Sequence, residues 1–494
     1  MNATNATYSD LPFSTTTYYS YTSIVRQFIW LSLYLLLTYL LIYTLSEENF
    51  SRNELYDFVN FTGPLYVLII CALTAYQLIR RNPTLIWTPF PWFLLASAAY
   101  FGFGPLLHIF GNAETIAYVN GFWQVDNYDI YRTNLLNIIG ILIVTFFYWS
   151  IGFIKLTSFQ RLLSTSGKMN IVLLTLVILT IGMFVKYFLA LPYEFGMVNY
   201  ILPGFIFQVA KLVDLGIFLV SFLAFRKGNI WKYILIILLV IELPVDLMKL
   251  EKSSFLLTLL MAVLGCYLAQ RRITILIYGS LLTIIAYSLI SPIVSSGRIV
   301  AQSRPSETLY ETLSRRYEIL TSEDLLEKRK EENEIQGSWS RLCYTNVQAA
   351  TMYLYDSGFP GHNYSMILWT LVPRILYPDK PNMSAPGTEL TSAIVGSDTS
   401  STGATVFGDA YYNGGWIMVV IACAGVGVIL AVVTRFGLLI MQNSAFVFLP
   451  CIFTGIYMGI RIDGRFVEDY VGAFVIYLAT MTIIIVFFGK CLKI

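Results

Sequence analysis

Apolar runs of roughly 17–25 residues, the length a helix needs to cross a bilayer, recur from one end of the chain to the other. They fall near 28–45, 64–79, 86–110, 134–154, 170–191, 205–225, 231–250, 254–270, 273–294, 415–434, 445–460 and 469–489. This pattern predicts an all-α polytopic membrane protein with about twelve transmembrane helices and one large loop between the ninth and tenth. Four parts follow from it: a tail at 1–26, nine helices over 27–294, the loop at 295–414, and three helices over 415–494.

The polar residues between the runs give the orientation. Arg80 and Arg81, then Lys155, Arg161 and Lys168, then Arg226, Lys227 and Lys232, then Arg271 and Arg272, Arg435, and finally Lys490 and Lys493 occupy every second junction. The junctions between them carry Glu47, Glu48, Glu54 and Asp57, then Glu114, Asp126 and Asp129, then Glu194. Basic loop residues stay on the cytoplasmic side, so both termini are expected in the cytoplasm and the 295–414 loop outside. The N-terminal stretch MNATNATYSDLPFSTTTYYSYTS lacks a basic start leading at once into a short apolar core. It reads as a polar tail rather than a removed signal peptide.

Composition fixes the class more firmly. Of 494 residues, 56% are hydrophobic and 13% charged, about half the charge of a soluble domain. The net charge of +2 is distributed by topology and gives no support to a nucleic-acid partner. Cys71, Cys266, Cys423 and Cys451 sit inside apolar runs, Cys491 lies in the tail, and Cys343 is in the loop. No Cys-x-x-Cys or Cys/His spacing appears, so neither a metal site nor a disulfide framework is expected, and no cofactor is implied.

The loop divides in two. Its first part, from Arg298 to Glu334, is charge-rich, with Leu309, Leu313 and Leu320 at helical spacing, and reads as one or two solvated amphipathic helices. The second part, from Ser338, is aromatic, rich in glycine and broken by proline; Trp339, Leu342, Val347, Ala350 and Leu354 make a helical face. An insertion of this size on a helical bundle is more often a lid or catalytic segment than a linker.

Ionisable groups at bilayer depth are costly and mark candidate sites. Lys211 and Asp214, at i and i+3, are placed to neutralise one another, and Lys186 lies toward the outer end of the fifth run. Glu242, Asp246 and Lys249 share one face of the seventh, with Lys252 following at its outer end. They form either an internal salt-bridge ladder or the wall of a cavity that admits a charged headgroup. Arg461 and Arg465, in GIRIDGRFVEDY, lie on the outer side, where the charge rule disfavours arginine. Anion binding is a natural reason for them.

Three stretches resemble one family. LVPRILYPDKPNMSAPGTEL is similar to a pattern of an arginine after proline, then an aromatic, Pro, Asp, Lys and Pro. DTSSTGATVFGDAYYNGGW resembles a Thr-Ser-rich run that leads through Gly-(Glu/Asp)-Ala-Tyr-x-Asn-x-Gly-Trp into a helix. KLEKSSFLLTLLMAVLGCYLAQRR resembles a basic, small-residue cluster opening an apolar helix, although the family's cluster is richer in glycine than Lys249–Ser254. The family is the Wzy proteins, the oligosaccharide repeat unit polymerases of bacterial surface-polysaccharide assembly.

The resemblance implies a fold similar to the GT-C membrane glycosyltransferases, in the inner (plasma) membrane of a bacterium. It implies a substrate, undecaprenyl-diphosphate-linked oligosaccharide, whose growing chain leaves its lipid diphosphate for a hydroxyl of the incoming unit. Membrane lipid and a chain-length regulator are the implied partners. The chemistry asks for donors on the leaving diphosphate, a task suited to the arginine fork. Arg341, Arg374, Arg461 and Arg465 lie at the outer surface, and Lys249 and Lys252 are further diphosphate candidates. His362 is the candidate base, with Glu389, Asp398 and Asp409 as carboxylate alternatives; Asp409 also suits capping of a helix that begins near Tyr412. Glu389, Tyr411 and Tyr412 are substrate-binding candidates, and Tyr344, Tyr364, Trp369, Tyr377 and Trp416 are further rings that could stack on sugars or belt the interface. His108 reads as a buried or interfacial hydrogen-bonder, and Glu47 and Glu48 as loop acids rather than metal ligands. The competing readings are an O-antigen ligase, and a lipid-linked oligosaccharide flippase, for which repeated halves would be expected.

Overall fold

The computed structural model describes residues 15–49, 52–123, 125–151, 171–195, 204–249, 252–303, 339–372, 376–377, 379–381, 385–395, 403–443 and 445–488, with residues 198, 202 and 314. Among them every regular element is a helix. Among the described residues nine helices are long and apolar enough to cross a membrane: Ser23–Thr44, Arg52–Arg81, Pro89–Phe110, Asn127–Ile151, Ile171–Glu194, Lys252–Gln270, Thr405–Gln442, Phe446–Asp463 and Phe466–Val486. The chain is therefore a multi-pass membrane protein. The other three apolar runs are helical too, each with a distinguishing feature. One is broken at Lys211 between Gly204–Ala210 and Leu212–Lys227, and Asn229–Met248 carries Lys232, Glu242 and Asp246. The third is the Ile273–Ser303 helix, in which Ile273–Tyr287 is the apolar part.

The first helix starts at Thr15, inside the stretch expected to be a tail. Its outward residues Trp30, Leu31, Tyr34, Leu37, Leu40 and Leu41 are exposed apolar side chains, as a lipid-facing surface requires. Helices of the 273–303 and 405–442 regions likewise run into the stretch read as loop from both sides.

Two compact units form, residues 1–168 with 339–494, and residues 169–338. In the first, the Thr405–Gln442 helix lies against Asn127–Ile151. A side chain at Gly427 would come within 2.5 Å of the Val144 carbonyl oxygen, so glycine there sets how closely the two backbones approach. Phe90 and Tyr148 stack in parallel nearby, 3.7 Å between ring centres.

The helix Thr345–Asp356, within the stretch read as loop, is not laid over the bundle by one apolar face. Asn346, Gln348 and Thr351 are as buried as Val347 and Ala350. Polar groups of the bundle bond to two of these polar side chains. Gln348 Nε2 donates to Asn137 Oδ1 (2.6 Å) and Thr405 Oγ1 (2.9 Å), Asn137 Nδ2 donates back to Gln348 Oε1 (3.1 Å), and Asn346 Nδ2 donates to the Val119 carbonyl (2.7 Å). Trp339 anchors the segment ahead of it, its Nε1 donating to the Phe103 carbonyl at 2.8 Å and its ring stacked on Phe103.

The second unit is built round Leu212–Lys227, buried on almost every side. Its charges pair between helices rather than along one. Lys186 forms ion pairs with Glu242 and with Asp246, the latter at 3.2 Å. Tyr187 Oη donates to Glu242 (2.9 Å), and Thr258 Oγ1 reaches Asp246 (2.9 Å) and Asp214 (3.2 Å). Lys249 instead pairs with Glu194 at 3.1 Å. The ladder expected along Glu242, Asp246 and Lys249 is thus replaced by a cross-helix cluster, because Lys186 reaches both carboxylates from a neighbouring helix. Removing one partner of a buried pair leaves the other uncompensated. Lys186→Met is expected to destabilise this unit by about 3–5 kcal/mol, read as a lower thermal midpoint in detergent; Lys186→Arg, which keeps the charge, should lose less.

Candidate functional site

The junction between the helices Leu449–Ile460 and Ala473–Phe488 carries a dense polar geometry of the first unit. The short turn Arg461–Asp463 ends one helix, and Phe466–Gly472 opens the next as a π-turn with Arg465 as its N-terminal cap. Two carboxylates organise it. Asp469 accepts the Arg465 backbone N–H at 2.9 Å, while its own N–H donates to the Arg465 carbonyl at 2.9 Å. This reciprocal arrangement closes the turn as a capping box does. The other Asp469 oxygen accepts from Arg461 Nε at 3.1 Å.

Asp409 is the second. It is 2% exposed and accepts from the Phe466 N–H at 3.2 Å and from Asn363 Nδ2 at 2.7 Å. Its backbone carbonyl accepts from Asn413 Nδ2 at 2.8 Å. Sequence reasoning expected Asp409 to cap a helix starting near Tyr412. The helix starts earlier, at Thr405, so Asp409 lies inside it, and the amide it caps is the first of a different helix. The expected start coincides with a kink, where Gly414 (φ 172°, ψ 29°) and Gly415 (φ 60°, ψ −155°) leave helical geometry. Gly415 holds a left-handed φ that side-chain-bearing residues resist, and a Cβ there would press on the Tyr355 ring at 2.9 Å.

Beside Asp409, a cleft of about 10 Å³, the room of roughly one water, is lined by Asn363, Met366, Pro386, Arg465, Val467 and Glu468. Glu468 forms an ion pair with Arg465 across it and keeps 40% of its side chain exposed. Arg461 uses only Nε within the network, which leaves its two terminal amino groups without a hydrogen bond among the described residues, and its guanidinium lies 5.5 Å from the Tyr457 ring centre. Tyr364 packs its ring against Phe466 at 5.6 Å; burial and the Asp409 carboxylate push its hydroxyl pKa well up, so the phenol stays protonated.

The structure therefore brings Asp409, Arg461 and Arg465 to one place, with Asn363, Glu468 and Asp469 added. Asn363 directly follows His362, and Glu468 and Asp469 stand in the same FVEDY that follows Arg465; adjacency to the singled-out residues was the available signal. His362 itself is exposed, capping the 3-10 helix Asn363–Leu371 by position, with its carbonyl accepting from Ser365 Oγ at 2.6 Å. Arg341 is exposed in the turn after Trp339. Glu389 is exposed on the helix Ala385–Val395, whose Pro386 lines the cleft. Tyr412 takes the Gly361 N–H on its carbonyl at 2.9 Å, and Tyr411 is buried with its hydroxyl on Asp356. Lys249 and Lys252 belong to the second unit, Lys252 with its amine 5.8 Å from the Tyr287 ring centre. Arg374 and Asp398 lie outside the described residues, as do the side chains of Glu47 and Glu48.

His108, expected to be a buried or interfacial hydrogen-bonder, is partly buried, with its Nε2 3.4 Å from Cys343 Sγ. Burial pushes the Cys343 thiol up to about 11, which keeps it protonated and unreactive near neutrality.

Comparison with protein-family models, with curated proteins and with solved structures finds no match to this chain. Function is therefore argued from the residues and their geometry.

One position tests that geometry directly. A side chain at Gly464 would collide with the Asp469 carboxylate. Gly464→Ala should displace Asp469 from both Arg461 and the Arg465 amide and destabilise the junction by about 1–3 kcal/mol, measured as thermal midpoint and as faster hydrogen exchange at 461–469.

Proposed function

We propose that the chain is a membrane glycosyltransferase of the repeat-unit polymerase type, joining lipid-diphosphate-linked oligosaccharides at the outer face of a bacterial plasma membrane. The observation that carries this reading is the arrangement at Asp409. The Gly-Asp-Ala-Tyr segment that resembles the polymerases caps, through Asp409, the junction that carries Arg461 and Arg465, two arginines that the charge rule disfavours, beside a cleft that Arg465 lines. Supporting it are the length and number of the apolar runs, which suit about twelve spans with both termini in the cytoplasm and a GT-C-like fold.

In this reading the acceptor hydroxyl oxygen bonds to C1 of the donor sugar as the bond from C1 to the diphosphate oxygen breaks, its electron pair leaving with the diphosphate. Arg461 and Arg465 take the developing negative charge, Arg461 through its two terminal amino groups. The hydroxyl proton goes to Glu468, a half-exposed carboxylate lining the cleft. His362, the base expected from sequence, is exposed on the segment that carries Asn363. Asp409, whose oxygens already accept from Asn363 and Phe466, is a positioning residue rather than the base. The chemistry assigned here is carried by side chains without a metal, and a chain-length regulator would be a partner at the outer surface.

Purified protein given lipid-diphosphate-linked repeat units should yield longer lipid-linked glycans and free lipid diphosphate, with or without a chelator. Arg465→Ala should lower the rate of chain growth about 10²–10³-fold and Glu468→Gln about 10²–10⁴-fold, at unchanged expression. Transfer onto lipid A-core alone would mark a ligase. Movement of intact lipid-linked sugar between leaflets without bond formation would replace the enzyme by a flippase.

A further inference from the structure

Away from the cleft, the first unit builds a second polar constellation that none of the reaction steps uses. Arg132, near the start of the Asn127–Ile151 helix, donates from Nη2 to Asp356 Oδ2 at 2.5 Å and to Tyr411 Oη at 3.0 Å. Tyr411 Oη in turn donates to Asp356 Oδ1 at 3.1 Å. Three segments distant in sequence thus close a triangle of an arginine, a carboxylate and a phenol. Aromatic rings surround it. The Arg132 guanidinium lies 5.7 Å from the Tyr128 ring centre and 5.8 Å from that of Tyr411. Tyr355 and Trp416 meet the Tyr411 ring edge-on at 5.4 and 5.6 Å. The kink at Gly414 and Gly415 sets Trp416 beside Tyr411 instead of letting it run on round the helix.

The triangle is not saturated. Only one of Arg132's three guanidinium nitrogens is engaged among the described residues, and each Asp356 oxygen accepts a single hydrogen bond, although a carboxylate oxygen accepts two. The Asp356 side chain is 40% exposed, and Trp416 and Tyr128 are 41% and 45% exposed. Solvent therefore reaches, on one patch, flat apolar faces beside a guanidinium with donors to spare and a carboxylate with acceptors to spare.

We propose that this patch is a glycan-binding subsite for an uncharged pyranose. A pyranose presents C–H groups on its faces, which pack on aromatic rings, and hydroxyls on its rim, each both donor and acceptor. The ion pair has no net charge, so it does not select an anionic headgroup, while its fixed donors and acceptors suit neighbouring hydroxyls. An aromatic belt at a membrane interface needs rings only; the triangle beneath these rings is what a belt does not require.

Position relates the subsite to the cleft. Asp409 and Tyr411 are two residues apart on one helix, about 200° round its axis, so the subsite and the Asp409 cleft lie on opposite sides of the Thr405–Asn413 turns. The subsite therefore holds sugars away from the bond being made. It rests on the polymerase reading only for the choice of probe.

The test is calorimetric titration of the whole protein in nanodiscs with free oligosaccharide, released by mild acid from the same lipid-linked repeat units used in the chain-growth assay. Trp416→Ala and Asp356→Asn are each expected to weaken binding at least tenfold with the thermal midpoint retained. Arg132→Lys, which keeps charge but loses the planar fork, serves where a variant fails to fold, and should weaken it likewise. Undetectable binding by the wild type, or equal affinity in wild type and all folded variants, overturns the subsite even where the protein elongates chains. Tenfold weakening in the variants of a wild type that elongates nothing upholds the subsite and removes only the polymerase reading.

Discussion

A carboxylate buried in a helical bundle must find donors, because its solvation is lost and an apolar interior offers nothing in exchange. Asp409 meets that requirement with groups from separate parts of the chain: the Asn363 amide from the segment after His362, and the Phe466 N–H from the last junction. Both lie outside its own helix, which adds only the Asn413 amide at 3.4 Å. The stretch after His362 and the junction before the last helix are thus held at fixed positions by one acid, and the cleft between Asn363 and Arg465 exists because both ends of that clamp are fixed. Asp469 repeats the logic on a smaller scale by holding Arg461 and the Arg465 amide within one turn.

The segment that delivers Asp409 is itself held under strain. Thr405, β-branched, adopts a left-handed φ of 62° at the start of its helix, a conformation such residues reach only when their surroundings impose it. Gln348 supplies the restraint through Thr405 Oγ1, while exchanging hydrogen bonds with Asn137. Buried polar contacts therefore run from the Asn127–Ile151 helix, through Thr345–Asp356, into the turn that carries Asp409 and Tyr411. The two faces of that turn are positioned by the same restraint, which would tie the proposed diphosphate side to the proposed glycan side.

Much of this was readable in the sequence and some was not, for definite reasons. Apolar runs of bilayer length announce themselves because the membrane imposes one length on them all, and arginines on the wrong side of the charge rule stand out singly, as Arg461 and Arg465 did. Periodicity, however, gives a face and not what it faces. Glu242, Asp246 and Lys249 share a stripe, yet Lys186 on another helix takes the two acids and Glu194 takes the lysine. In Thr345–Asp356 the visible pattern was an apolar face through Val347, Ala350 and Leu354, whereas Asn346 and Gln348 are buried too, against amides and carbonyls that no pattern in their own segment reveals. Arg132 and Asp356 were invisible for the same reason, being separated by 224 positions.

Charge count places the sharpest constraint on the proposed chemistry. Around the Arg461–Asp469 junction stand two guanidinium groups, Arg461 and Arg465, against Asp409, Asp463, Glu468 and Asp469. A diphosphate would meet an excess of like charge there unless one acid yields. The buried pair cannot: Asp409 and Asp469 hold the backbone of the junction. Glu468 can, since 40% of its side chain is already exposed and its bond to Arg465 is made by the two side chains alone. In the proposed reaction the diphosphate therefore takes the place of Glu468 on Arg465, and the displaced carboxylate, no longer held by a cation, becomes a stronger base beside the incoming hydroxyl. Binding of the donor and activation of the base would then be a single exchange at Arg465, and a donor lacking its diphosphate would leave the base paired and idle.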